Sequence, residues 1–220
     1  MIQVRNILIR RDISKDEIIK ATEEDTWRFG NQVLYDMCSN NLKHKDENII
    51  VGKVWIIGRV YAAAIERRKN ASESKSGDDF YFNAVAPKIK EIGGELDSRI
   101  ETLNRYNEIT EDNLAQILDT HKLLTDVYYE ITKQNKRSLA SKYLHFHAPN
   151  MFYIYDSGAD KAIRKYVSLD TSMKEKLKHN RTDEFYLEFV IRMFTLRNYI
   201  KEKYGIYLSP RQIDAFLLKY

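Results

Sequence analysis

Apolar residues recur at intervals of three and four along most of this chain, the spacing that gathers them on one face of an α-helix. In residues 27–38, Phe29, Val33, Leu34 and Met37 fall in helical phase behind Trp27. In residues 47–68, Val54, Ile57, Tyr61, Ala64 and Ile65 do the same. Gly52 and Gly58 weaken that helix by roughly 1 kcal/mol each against alanine, and a glycine held inside a helix often admits a second backbone at close range. Phe82, Val85, Ile89, Ile92, Leu96, Ile100 and Leu103 predict a further helix, with a kink or break at the Gly93-Gly94 pair.

Leu114, Ile117, Leu118, His121, Leu124, Tyr128 and Ile131 predict a long helix capped by Thr110, and Phe185, Phe189, Val190, Met193, Leu196 and Ile200 another starting at Thr182. Ser209-Pro210 reads as an N-cap followed by proline at the first helical position, opening a last helix with Ile213, Phe216 and Leu217. The first segment, IQVRNILIR, reads as a short strand or an arm, after which Ser14 or Asp16 caps a helix through Ile19. The polar stretch NASESKSGDD is a loop whose Asp78 and Asp79 can cap the next helix. The expected fold is all-α: one multi-helix domain over residues 1–220, either a single body or two helical lobes around a cleft.

Composition agrees with this pattern. Eight Gly and three Pro among 220 residues are too few for the tight turns of a sandwich or barrel. Hydrophobic residues at 43% supply a core, and 31% charged residues supply a wide polar surface. A single cysteine, Cys38, excludes an internal disulfide and cysteine-based zinc clusters, and suits a core thiol in a reducing compartment. The N-terminus interrupts its short apolar run with charges, unlike a signal peptide, and no apolar stretch is long enough to span a bilayer. A cytoplasmic protein without a membrane partner is expected.

Net charge is +4, but it is unevenly placed. Residues 133–181 hold eleven Lys or Arg against four acids, a local +7 that leaves −3 for the remainder. Concentrated basic charge is what phosphate binding needs, because each neutralised phosphate releases counterions. Lys133, Lys136, Arg137 and Arg164 are the candidate contacts. DNA is the expected partner and RNA the alternative. A lysine-rich solvated surface would show the same count. Fifteen tyrosines exceed what a core requires and suit base stacking or the edges of apolar contacts.

Several chemistries lack their residues. There is no glycine-rich phosphate loop, no dinucleotide fingerprint and no HExxH. His145 and His147 lie about 200° apart on a helix, a poor metal pair, so neither metal nor cofactor is expected. The HEPN ribonucleases carry an arginine followed at short range by histidine, a spacing that all five histidines fail. In GRVYAAAIERRK, Arg59 lies on an alanine-rich helix, where it is either drawn toward a partly buried carboxylate or, as the more ordinary reading, forms a structural ion pair or stays solvated.

The informative stretch is SLASKYLHFHAPNMFYIYDSGADKAI, residues 138–163. It reads as an apolar helix stopped at Pro149, a short extended run FYIY, and an Asp156-Ser157 cap for a helix through Tyr166. This succession resembles the lysine-to-aspartate segment of the helix-hairpin-helix DNA glycosylases, the endonuclease III and 8-oxoguanine glycosylase families. With Asp156 on the family's aspartate, Ala140 falls on its common alanine and Pro149 on its turn. The closing SPRQIDAFLLKY resembles the last helix of some 8-oxoguanine-type proteins. The matches cover about a sixth of the chain.

Two positions depart from the family. Its lysine falls on Ser138, with Lys142 one turn deeper on the same helix face. Its glycine-rich hairpin falls on KQNKR, which has no glycine. The resemblance implies a DNA-repair hydrolase that excises a modified base with Asp156, in a pocket formed by Lys142, Tyr143, His145, Tyr153 and Tyr155. Breaking an N-glycosidic bond builds positive charge on the sugar, which a carboxylate stabilises, and the base must first leave its stack. The alternatives are a non-catalytic helical module that binds nucleic acid or protein, and a ribonuclease or regulatory protein of another helical family. On those readings Asp156 is an ordinary helix cap.

Overall fold

The computed structural model describes residues 8–23, 27–67, 80–179 and 182–219. Those residues form eleven α-helices and one π-helical turn, with no strand beyond an isolated antiparallel bridge between Ile9 and Val167. The helices are α1 (Lys15–Glu23), α2 (Arg28–Ser39), α3 (Glu47–Val60), α4 (Ala86–Glu91), α5 (Gly93–Leu103), α6 (Leu114–Thr132), α7 (Arg137–His147), α8 (Ser157–Tyr166), α9 (Thr171–Leu177), α10 (Glu184–Tyr204) and α11 (Pro210–Lys219). The π turn, Tyr81–Val85, leads into α4. None of these helices is long and apolar enough to cross a membrane.

The extensive helix packings fall into two sets. In one, α2, α3, the π turn and α4 to α7 pack on one another, and α7 meets α2, α3 and α6 at once. In the other, α8 packs on α10 and α11, α9 on α10, and α11 on α1. From α7 to α8 the chain passes from the first set to the second through an extended run. From Leu139 to His147 every residue of α7 is buried, so this helix runs through the interior and not along its surface.

Caps start the helices where the sequence carries them. Ser14 and Glu17 form a reciprocal capping box on α1, the Ser14 Oγ accepting from the Glu17 amide at 3.2 Å and Glu17 accepting from the Ser14 amide at 2.8 Å. Ser209 and Gln212 repeat that geometry on α11. Asp78 and Asp79, with the rest of the polar loop, lie outside the described residues. Two starts differ from expectation. Helix α6 begins at Leu114, because Asn113 accepts from the Thr110 amide and folds residues 110–113 into a turn. Helix α10 is capped by Asp183 instead of Thr182, the carboxylate accepting from the Tyr186 amide at 3.1 Å.

Two further expectations are corrected. Phe29 and Val33 are exposed at 84% and 51%, since α2 turns Asn31, Leu34 and Cys38 inward. The helix expected over 47–68 stops at Val60. Ala62 takes a left-handed φ of 51°, and the Ala63 amide returns to the Gly58 carbonyl at 2.7 Å. A Cβ on Gly58 would meet the Ala64 Cα at 3.1 Å. The glycine therefore does admit a backbone, and that backbone is the chain's own, folding residues 61–67 back over the end of α3.

The break near the glycine pair has the same cause. A Cβ on Gly93 would lie 2.7 Å from the His44 carbonyl oxygen, a backbone atom that cannot swing aside. Gly93→Ala is expected to cost about 1–3 kcal/mol despite alanine's better helix propensity. Urea denaturation measures this, and a stabilised variant would contradict the close approach.

Candidate functional site

Three segments distant in sequence meet at an open cleft of about 520 Å³. Residues 61–64 and Arg67 come from the fold-back after α3, residues 134–139 and Lys142 from the start of α7, and Tyr155, Asp156 and Ser157 from the head of α8. Asp156 is the N-cap of α8. One carboxylate oxygen accepts from the Ala159 amide at 2.8 Å, and the other lies 3.9 Å from the Lys142 ammonium. The Asp156 side chain is 35% exposed and that of Lys142 only 4%. Lys142 also donates to the Ser138 hydroxyl at 2.8 Å and lies 5.9 Å from the centre of the Tyr61 ring. Burial pulls the Lys142 amine below its ordinary range, against the opposing pull of Asp156 and Asp214.

The extended run that carries Asp156 is tied down from behind. Its amides and carbonyls cannot bond within a helix, so α7 and α10 supply partners. The Tyr155 amide donates to the Ser141 hydroxyl at 3.0 Å. His145 Nδ1 donates to the Phe152 carbonyl at 2.9 Å, leaving Nε2 to accept from the Tyr35 hydroxyl at 2.7 Å. The Tyr186 hydroxyl donates to the Tyr153 carbonyl at 3.1 Å. Burial drives the His145 imidazole down to about 4, so it is neutral near pH 7.

These contacts correct part of the expected pocket. Tyr143, His145 and Tyr153 are fully buried and do not line the cleft. The Tyr143 hydroxyl meets His44 Nε2 at 2.8 Å, in an interior chain that continues from His44 Nδ1 to Asp97 at 2.6 Å. Of the three, His145 braces the run from inside the protein, through the Phe152 carbonyl. Of the expected pocket residues, Lys142 and Tyr155 reach the cleft, as does Asp156. No metal-holding cluster of His, Cys, Asp or Glu occurs among the described residues. Cys38 is a buried core thiol pushed up to about 12 by burial.

The basic window is redistributed in the same way. Arg137 donates from Nε to both Asp183 oxygens at 3.0 Å and stacks over Phe185 at 4.8 Å, fastening α7 to the head of α10. Arg164 pairs with Asp160 at 3.0 Å and Glu188 at 3.7 Å. Lys174 pairs with Glu184 and Glu188, and Lys178 with Glu184. Acids just beyond the window thus neutralise much of its charge. Of the four expected nucleic-acid contacts, Lys136 and Arg137 line the cleft. Lys133 ends α6 with a left-handed φ of 55° and lines a separate depression with Lys88 and Glu130. Arg164 does not line the cleft. The rim keeps Arg67, Lys136 and Arg137 beside Asp156 and Lys142.

Sequence reasoning missed Tyr61, Arg67, Asp183 and Asp214. Gly58 was the signal for the fold-back that delivers Tyr61 and Arg67. Asp183 precedes an apolar-periodic helix, the ordinary place for a cap. Asp214 falls among Pro210, Ile213, Phe216 and Leu217 on the buried face of α11, a carboxylate in an apolar register. Arg59 pairs with Glu66 while remaining 57% exposed. No protein-family model, no curated protein and no solved structure matches this chain.

Proposed function

We propose that this chain is a helical nucleic-acid-binding protein of the DNA glycosylase type, whose cleft receives a nucleotide turned out of its stack and whose Asp156 acts on the N-glycosidic bond. One observation carries the reading: a partly exposed carboxylate on the wall of an open cleft, backed by a buried ammonium and rimmed by Arg67, Lys136 and Arg137. Cleavage sends the bonding electron pair to the base nitrogen, which takes up a proton as the base leaves. Positive charge then gathers on the sugar beside Asp156. Water adds to the sugar C1′ and gives its proton to the carboxylate. Arg67 and Lys136 would hold the flanking phosphates, Arg137 being already paired with Asp183, and Tyr61 and Tyr155 offer rings against the extruded base.

A non-catalytic binding module is the second reading, favoured by the use of one Asp156 oxygen as the cap of α8. Both are tested with duplex and single-stranded DNA carrying oxidised, deaminated or alkylated bases, reading free base by mass spectrometry and binding by anisotropy. Release of a base supports the first reading. Binding without release leaves the second, and neither binding nor release overturns both. Lys136→Glu is expected to weaken binding uniformly across sequences and to lower the salt slope by about 1.

A further inference from the structure

Ser138 and Lys142 stand one turn apart on α7, and both line the cleft. The Lys142 nitrogen lies 2.8 Å from the Ser138 hydroxyl oxygen, and among the described residues it meets no other hydrogen-bond acceptor. Asp156, at 3.9 Å, is beyond hydrogen-bonding distance. An ammonium has three N–H donors to satisfy, and this one, on a side chain only 4% exposed, finds a single acceptor. Such a setting disfavours the charged form, and burial draws the amine down against Asp156 and Asp214. Once the amine has given up its proton, the same contact turns around, and the Ser138 hydroxyl donates to it. A hydroxyl held by a base at this distance is an activated nucleophile. Helix α7 also opens without a side-chain cap. Its first intrahelical bond joins the Ala140 amide to the Lys136 carbonyl at 2.9 Å, so the amides of Arg137, Ser138 and Leu139 have no partner within the helix. All three residues line the cleft, and amides at a helix start stabilise an anionic oxygen.

We propose that the cleft carries an acyl-transfer site, with Ser138 as nucleophile and Lys142 as its general base, acting on a carboxylic ester. The inference goes beyond the proposed function: it uses the same cleft but different reacting atoms. Lys142 takes the hydroxyl proton as the Ser138 oxygen bonds to the ester carbonyl carbon. The carbonyl oxygen becomes an anion beside the amides of the first turn. As that anion collapses, the bond to the alcohol oxygen breaks, and the leaving alcohol receives the proton from Lys142. Water then attacks the acyl-serine carbonyl and gives a proton to Lys142. The carboxylic acid departs as the Ser138 oxygen takes that proton back. An alcohol leaves more readily than an amine, so an ester asks least of a single acid–base group.

The test incubates the whole chain with an alkyl fluorophosphonate, whose phosphorus bonds to a serine oxygen as fluoride leaves. Intact mass and peptide mapping read the adduct. A single adduct on Ser138 is expected, absent from Ser138→Ala and formed about a hundredfold more slowly in Lys142→Met, with hydrolysis of para-nitrophenyl acetate lowered in parallel. No adduct, an adduct on Ser157 of the same cleft, or labelling of Lys142→Met at an undiminished rate overturns the proposal. Should Lys142→Met fail to fold, the wild type decides: its adduct forms on Ser138 and is abolished by prior unfolding in urea, or the proposal falls. Neither probe contains nucleic acid, so acyl transfer and base release succeed or fail separately.

Discussion

Asp156→Asn is expected to leave the fold within about 1 kcal/mol of wild type while lowering base release by roughly a hundred- to ten-thousand-fold, the range contributed by a positioned acid–base group. The substitution separates two roles that share one side chain. Asparagine caps helices about as well as aspartate, so its side-chain oxygen can accept from the Ala159 amide as Asp156 does at 2.8 Å. It carries no charge to set against a sugar cation and cannot take a proton from water. Lys142 loses a neighbour at 3.9 Å but keeps the Ser138 hydroxyl at 2.8 Å. Asp156→Ala removes cap and charge together and is expected to cost about 1 kcal/mol of stability as well. Equal base release by Asp156→Asn and wild type would reduce Asp156 to a cap.

Acidification is expected to unfold the protein between pH about 6.5 and about 4 through buried imidazoles. Burial drives His121 and His145 each down to about 4. The unfolded chain therefore takes up these protons first, so the stability they contribute is complete above about pH 6.5 and is lost as pH falls through about 4. Each is worth roughly 3 kcal/mol, because a tenfold loss of proton affinity on folding corresponds to about 1.4 kcal/mol. His44 and His147 are displaced in the same direction. Asp214 runs the other way. Its folded value is raised to about 7, so its contribution is present at low pH and lost as pH rises through that value.

Two histidines against one carboxyl leave a net loss of stability on acidification. Urea midpoints measured at stepped pH would show it, with a shallower profile in His145→Gln. A flat profile across the window would contradict neutral, buried imidazoles. The site should fail with the fold, because His145 holds the Phe152 carbonyl and His121 lies 3.1 Å from the Arg137 carbonyl at the start of α7.

Local features were legible in proportion to how local their physics is. The Asp156 and Ser209 caps depend on partners three residues away, so the sequence window contains the cause; at Gly93 the window shows only the glycine, while the crowding comes from the distant His44 carbonyl. The charge count over residues 133–181 was legible too, yet misleading as a picture of the surface. Asp183, Glu184 and Glu188 lie only a few residues outside that window and fold back onto Arg137, Arg164, Lys174 and Lys178. Tyrosine and histidine identities suggested a pocket lining, but whether an aromatic ring faces a cleft or a neighbouring helix depends on which helix arrives. For Tyr143 and His145 the arriving groups are His44 and Tyr35, while Tyr186 holds Tyr153 by its backbone carbonyl.

From sequence alone this protein is a set of amphipathic helices with defined starts and a cap at Asp156, because periodicity and capping are settled within one or two turns of chain. Tertiary structure decided that α7 runs buried through the middle, that Lys142 and Asp156 come within 3.9 Å, and that Tyr61 and Arg67 join them at the cleft. Those facts depend on contacts between residues from 14 to more than a hundred positions apart. No spacing rule within a helix encodes such contacts, and only the packing of one helix on another can bring them about.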